Sequence, residues 1–149
     1  MTASAERLWW LNNAYRKHLT EAEKCVGLLE TLLYTRAPDD ADTALQQPLQ
    51  TLRQQLMRLT EEHRVWRYTY YYQSPFQKRM VASERDVHRA LLHFERMRVR
   101  HERALVDIVG LLHTLPQPAP ALTHVVSGDL WHFATDAVEA LFGFVEQQT

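Results

Sequence analysis

Arginine dominates one stretch of this chain, and arginine is the side chain best shaped to grip two oxygens at once. From His63 to Arg103 lie ten of the 17 Lys/Arg but only four of the 18 Asp/Glu, although the whole chain carries a formal charge of −1. A guanidinium offers a planar fork of N–H donors that matches a carboxylate or a phosphate, which the point charge of lysine does not. Placed at about 100° per residue around a helix, Lys78, Arg85, Arg89, Arg96, Arg100 and Arg103 fall on one side, with His93 at its margin. Glu84, Glu95 and Glu102 fall between that side and the apolar one, and Asp107 is the only acid inside the stripe. At about 1.5 Å per residue the row from Lys78 to Arg103 spans roughly 38 Å. At its start Arg64, Arg67, Lys78 and Arg79 interleave with Trp66, Tyr68, Tyr70, Tyr71, Tyr72 and Phe76.

Like charges one turn apart destabilise a helix by a few tenths of a kcal/mol per pair, so a purely solvated face would mix Glu among the basic residues. The row therefore points to an anionic partner. An acidic protein surface is expected to dock on Arg64, Arg67, Lys78, Arg79, Arg85, Arg89, Arg96, Arg100 and Arg103, with Tyr68, Tyr71 and Tyr72 supplying contact area. The alternative is RNA or DNA, held by its phosphates and stacked on the same tyrosines. Against it stands the overall charge, since a dedicated nucleic-acid binder is usually basic throughout. The bland reading is a solvated face neutralised by Glu84, Glu95 and Glu102.

Eight histidines raise the question of a metal-binding bundle or enzyme. Ferritin-like sites need Glu-x-x-His on two helices, and the chain has none. The nearest fragments are His18-x-x-Glu21, Glu84-x-x-x-His88, Asp129-x-x-His132 and His132-x-x-x-Asp136. Antiparallel helices would bring His18, Glu62, His63 and Glu84 to similar heights, but a polar face explains Asp129, His132, Asp136 and Glu139 equally well. No metal site and no cofactor are expected. The Arg-x4-His spacing found in helical HEPN-type ribonucleases occurs twice, Arg58 to His63 and Arg96 to His101, but no polar residue follows either arginine. There is no glycine-rich phosphate loop. Cys25, the sole cysteine, sits among aliphatic residues and is expected to be an inert thiol.

The elements that carry these residues are legible from apolar spacing. Steps of three and four alternate along Leu8, Leu11, Tyr15, Leu19, Ala22, Val26, Leu29, Leu33, and again along Leu45, Leu49, Leu52, Leu56, Leu59, His63, Trp66, Tyr70. A third seam reads Met80, Val87, Leu91, Phe94, His101, Leu105, Ile108, Leu112, and a fourth Leu122, Val126, Leu130, Phe133, Ala137, Leu141, Phe144. Such steps mark helices packed at a shallow angle. Ala37-Pro38-Asp39-Asp40 and Pro116-Gln117-Pro118-Ala119-Pro120 break the pattern, and Ser74-Pro75 reads as a cap with proline at the first helical position. Pro48 is expected in the first turn of the second helix or as a kink at its start. Trp66 to Tyr72 favours strand, yet no partner strand exists, so it is read as the end of that helix. The expectation is an all-α chain forming one domain over 1–149, an up-down-up-down antiparallel four-helix bundle with long helices.

Two seam positions carry a further demand. His63 and His101 would sit in the core as hydrogen-bonded, register-setting residues, and Arg98 falls near the apolar face, where it must find a carboxylate. Surplus apolar surface at Trp9, Trp10, Trp131, Val138, Phe142 and Val145 points to a homodimer. The single cysteine, and the lack of an apolar leader or of a run of about 20 apolar residues, suit a cytoplasmic protein with no membrane partner. The reading is a non-enzymatic adaptor, assembly or regulatory protein.

Overall fold

The computed structural model describes residues 3–35, 40–71, 83–115 and 128–147. Four helices carry them: α1 (Ala3–Thr35), α2 (Asp40–Trp66), α3 (Glu84–Thr114) and α4 (Gly128–Gln147), with no strand among the described residues. α2 runs on into a single π-helical stretch, Arg67–Tyr71. The fold is all-α, and α1 packs on α2 and α4 while α3 packs on the same two, as in a bundle. None of these helices is long and apolar enough to cross a membrane.

The first three seams are largely buried where the spacing places them, with Tyr70 and Leu91 half-buried. Leu8, Leu11, Tyr15, Leu19, Ala22, Val26 and Leu29 of α1 meet Leu45, Leu49, Leu52, Leu56, Leu59, His63 and Trp66 of α2. Val87, Phe94, His101, Leu105, Ile108 and Leu112 of α3 join them, and one continuous apolar cluster runs through all four helices. Each fully buried Leu, Ile or Phe contributes about 1.5–3 kcal/mol from water exclusion. Contacts across α1 and α2 run in opposite order, Glu30 to Arg53 at 3.1 Å and Glu23 to Thr60 at 3.0 Å. Leu33 has a side chain outside the described set, as do Met80, Leu122, Val126 and Leu130.

Element ends differ from the expectation in three places. α2 begins at Asp40, so Pro48 lies two turns inside it rather than in its first turn, and leaves one backbone carbonyl without its usual N–H. The cap expected at Ser74 lies outside the described residues. α3 opens instead at Ser83, whose Oγ accepts from the Asp86 amide at 3.2 Å and donates to its carboxylate at 2.8 Å. The crowded run Arg67-Tyr68-Thr69-Tyr70-Tyr71 stays helical but widens to a π turn, and Trp66 before it anchors the end by donating from its indole N–H to the Ala90 carbonyl at 3.2 Å.

α4 keeps Leu141 and Phe144 of its expected seam, with Ala137 half-buried, but departs from it at Phe133. Ala134, Val138, Leu141, Phe144 and Val145 are buried, whereas Phe133 is 61% exposed. Val138 and Val145, expected at a dimer interface, are core residues of the chain's own bundle. The reason is composition: opposite the exposed His132, Asp136 and Glu139, α4 carries apolar residues over a wide arc, so neighbouring seams fit its sequence, and packing selects the one led by the small Ala134. Trp131 and Phe142 are half-buried against the core, and Trp10 tilts over Phe144 at 5.8 Å. Trp9 and Trp10 remain exposed.

Arg98 satisfies the demand the sequence makes of it. It is buried, donates to Glu95 at 2.6 and 2.9 Å and to Glu102 at 3.2 Å, and reaches the Val145 carbonyl at 2.7 Å. That carbonyl is in the last turn of α4, where no intrahelical N–H is left to meet it and the helix dipole is negative. The α4 phase has a direct check by denaturant unfolding. Leu141→Ala should cost about 3 kcal/mol and Phe133→Ala less than about 0.5 kcal/mol, the reverse of what the spacing alone implies for Phe133.

Candidate functional site

Five members of the arginine row are carried by the outward side of α3. Arg85, Arg89, Arg96, Arg100 and Arg103 are all exposed. Among the described residues, no carboxylate comes within ion-pair distance of any of them. The three acids flanking the row are engaged elsewhere, and Asp107, which lies within it, is outside ion-pair distance of the arginines. Glu95 and Glu102 turn to Arg98, and Glu84 lies 3.5 Å from His88. Other basic residues do find acids: Arg53 holds Glu30, Arg58 holds Glu62 and Arg64 holds Glu61. Arg89 is set above the ring of Tyr70 at 5.9 Å, which is itself stacked on His93 at 4.1 Å.

The end of the α2 extension contributes less than the sequence suggests. Lys78, Arg79 and Tyr72 lie outside the described residues. Arg67, expected at the surface, is buried. Arg67 stands one turn after the seam residue His63, on the same inward side of α2, and its charge there adds to burial in depressing the His63 pKa. Arg64 is exposed but already holds Glu61, with its Nε at 2.9 Å, and its guanidinium lies 5.6 Å from the centre of the exposed Tyr68 ring. Tyr71 is half-buried and tilted against Trp66 at 6.2 Å.

A second feature, a polar relay through the core, was not assembled from the sequence. The Tyr15 hydroxyl on α1 meets Nδ1 of His101 on α3, and Nε2 of that ring meets the Glu62 carboxylate on α2 at 2.6 Å. A carboxylate can only accept, so His101 carries its proton on Nε2 and takes the Tyr15 hydroxyl proton as a hydrogen bond at Nδ1. Burial, and then the charge of Glu62, push the Tyr15 phenol well above its ordinary pKa. Burial also lowers His101, against the opposing pull of Glu62. Tyr15 and His101 stand on the predicted seams and Glu62 directly precedes a seam residue, so each position was readable, but their meeting across three helices was not.

Glu62 opens onto a groove of about 180 Å3 between α2 and α3, lined by Gln55, Arg58, Arg100, His101 and Asp107 among others. Both nitrogens of His101 are committed, so the ring has no lone pair left to act as a general base. The relay fixes the mutual height of three helices. The other polar fragments are separated: His18 is against the Phe144 ring at 5.0 Å, and His63 is stacked on Trp66 at 5.7 Å. Among the described residues no three His, Cys, Asp or Glu side chains are arranged to hold a metal ion. Cys25 is buried, and burial together with Glu21 raises its thiol pKa.

No protein-family model, no curated protein and no solved structure matches this chain.

The buried histidines make stability depend on pH. Burial, with Arg67, His101 and Arg16 nearby, pushes His63 down to about 3, and its Nε2 has no hydrogen-bond partner among the described residues. The unfolded chain takes up the proton near the ordinary 6.5, the folded chain only far below it. Stability is therefore full above about pH 6.5 and is lost progressively as pH falls toward about 3. Urea unfolding between pH 6 and 4 should show this loss, and His63→Leu should flatten the slope by up to about 1.4 kcal/mol per pH unit.

Proposed function

We propose that this protein is a non-enzymatic helical docking module that binds an acidic protein partner through the outward face of α3. The observation that carries the reading is the state of Arg85, Arg89, Arg96, Arg100 and Arg103: exposed, on one side of one helix, and without a carboxylate among the described residues. A row of like charges one turn apart is unfavourable to the free protein and becomes favourable when a partner supplies the opposite charge. Arginine suits that partner because each guanidinium can hold a carboxylate with two parallel hydrogen bonds.

Nucleic acid is the second reading, and the tyrosines weigh against it. Base stacking needs free aromatic faces. Tyr70 is stacked on His93 and Tyr71 leans on Trp66, which leaves Tyr68 as the exposed tyrosine of the described stretch. The formal charge of −1 also gives no long-range attraction to a phosphate backbone beyond the row itself.

The test is affinity capture from the source cells with wild type and with Arg89→Glu/Arg96→Glu, followed by reconstitution of the captured protein in purified form. The expected partner survives nuclease treatment, weakens as salt is raised, and binds the reversed variant at least tenfold less tightly, a loss of about 1.4 kcal/mol. Far-UV circular dichroism of the variant should be unchanged, because both side chains stand in solvent. Capture that nuclease abolishes would favour the second reading, and capture indifferent to the reversal would end both.

A further inference from the structure

The outward face of α3 carries more than charge. Leu92, Val99 and Val106 are 50%, 40% and 53% exposed, on a helix whose apolar residues otherwise turn to the core. They are spaced by seven, and so are Arg89, Arg96 and Arg103. Read together, Arg89, Leu92, Arg96, Val99, Arg103 and Val106 alternate in steps of three and four. That alternation is the signature of a helix-pairing seam, and α3 therefore has two: one inward toward the bundle, one outward. A single exposed Leu or Val needs no explanation, but three at heptad spacing line up over about four turns.

From this we infer that the partner segment is an acidic amphipathic helix, which lies along α3 with its apolar side on Leu92, Val99 and Val106 and its carboxylates on Arg89, Arg96 and Arg103. The inference rests on the docking reading above and adds the partner's shape. From Arg89 to Val106 the seam is about 26 Å long, which a partner helix of roughly 18–21 residues would cover. Residues 72–82 and 116–127 of the chain cannot supply the complement, since they contain no Asp or Glu. A second copy of α3 would set one arginine row beside another. A phosphate backbone would gain nothing from three aliphatic anchors. A lipid surface is matched better by bulky or aromatic residues on the apolar side than by two valines.

Two synthetic 21-residue peptides of identical composition test it on the full chain. One places leucines at alternating three- and four-residue steps with glutamates beside them, and the other scrambles the order. Fluorescence anisotropy should show the patterned peptide binding at least tenfold tighter than the scrambled one, and circular dichroism should show it gaining helix on binding. Leu92→Ser/Val99→Ser should weaken the patterned peptide at least tenfold, and the shape-conserving Val99→Thr should weaken it less without disturbing the fold. Equal binding of both peptides, lost only in Arg89→Glu/Arg96→Glu, would overturn the helix and leave the docking reading standing. Binding of neither peptide would overturn the inference, as would preferential binding to phosphatidylserine vesicles. Concentration-dependent dimerisation abolished by the serine variant would do so too, by making a second copy the occupant.

Discussion

The burial of Arg98 is the constraint on which the rest of the molecule's surface depends. A guanidinium taken out of water must be met by charge and by hydrogen bonds, or it costs several kcal/mol. Glu95 and Glu102 meet it from the same helix, and the Val145 carbonyl meets it from the end of α4. That arrangement couples α3 to α4 at one point along their length. It also turns toward Arg98 two of the acids that flank the outward row. The inward ion cluster and the outward uncompensated row are one electrostatic event seen from two sides.

The polar layer of Tyr15, His101 and Glu62 complements that coupling. Leucine seams slide past one another at little cost, whereas a chain of directed hydrogen bonds across α1, α3 and α2 is satisfied at a single register. Just beside it the His63 ring stacks on Trp66, whose indole is in turn tied to the backbone of α3. The middle of the bundle is thus specified by polar groups while its length is stabilised by aliphatic ones.

The first three helical seams were legible residue by residue, since each has a polar side that leaves one phase open to burial. The fourth was not. α4 is apolar over a wider arc than one seam needs, so Phe133 and Val138 exchanged the places that spacing gave them while Leu141 and Phe144 kept theirs. Arg67 was misplaced for a different reason: its position four residues after His63 puts it on the seam side, but an arginine is ordinarily an exposed residue. Helix ends were harder still. Pro48 looked like a first-turn residue, but the helix tolerates it two turns in.

Charge segregation, the alternation of three- and four-residue steps and the need of Arg98 for a carboxylate are properties of order along the chain. The sequence alone determined them, because helical periodicity converts spacing into direction without any knowledge of neighbours. What stands opposite each side chain was decided only by the folded bundle. Glu95 and Glu102 turned inward rather than over the arginine row, Glu62 met His101 rather than His18, and Leu92, Val99 and Val106 were left in solvent. Each of these depends on the relative rotation and height of separate helices. Those quantities arise from packing many side chains at once, and no single segment of the chain encodes them.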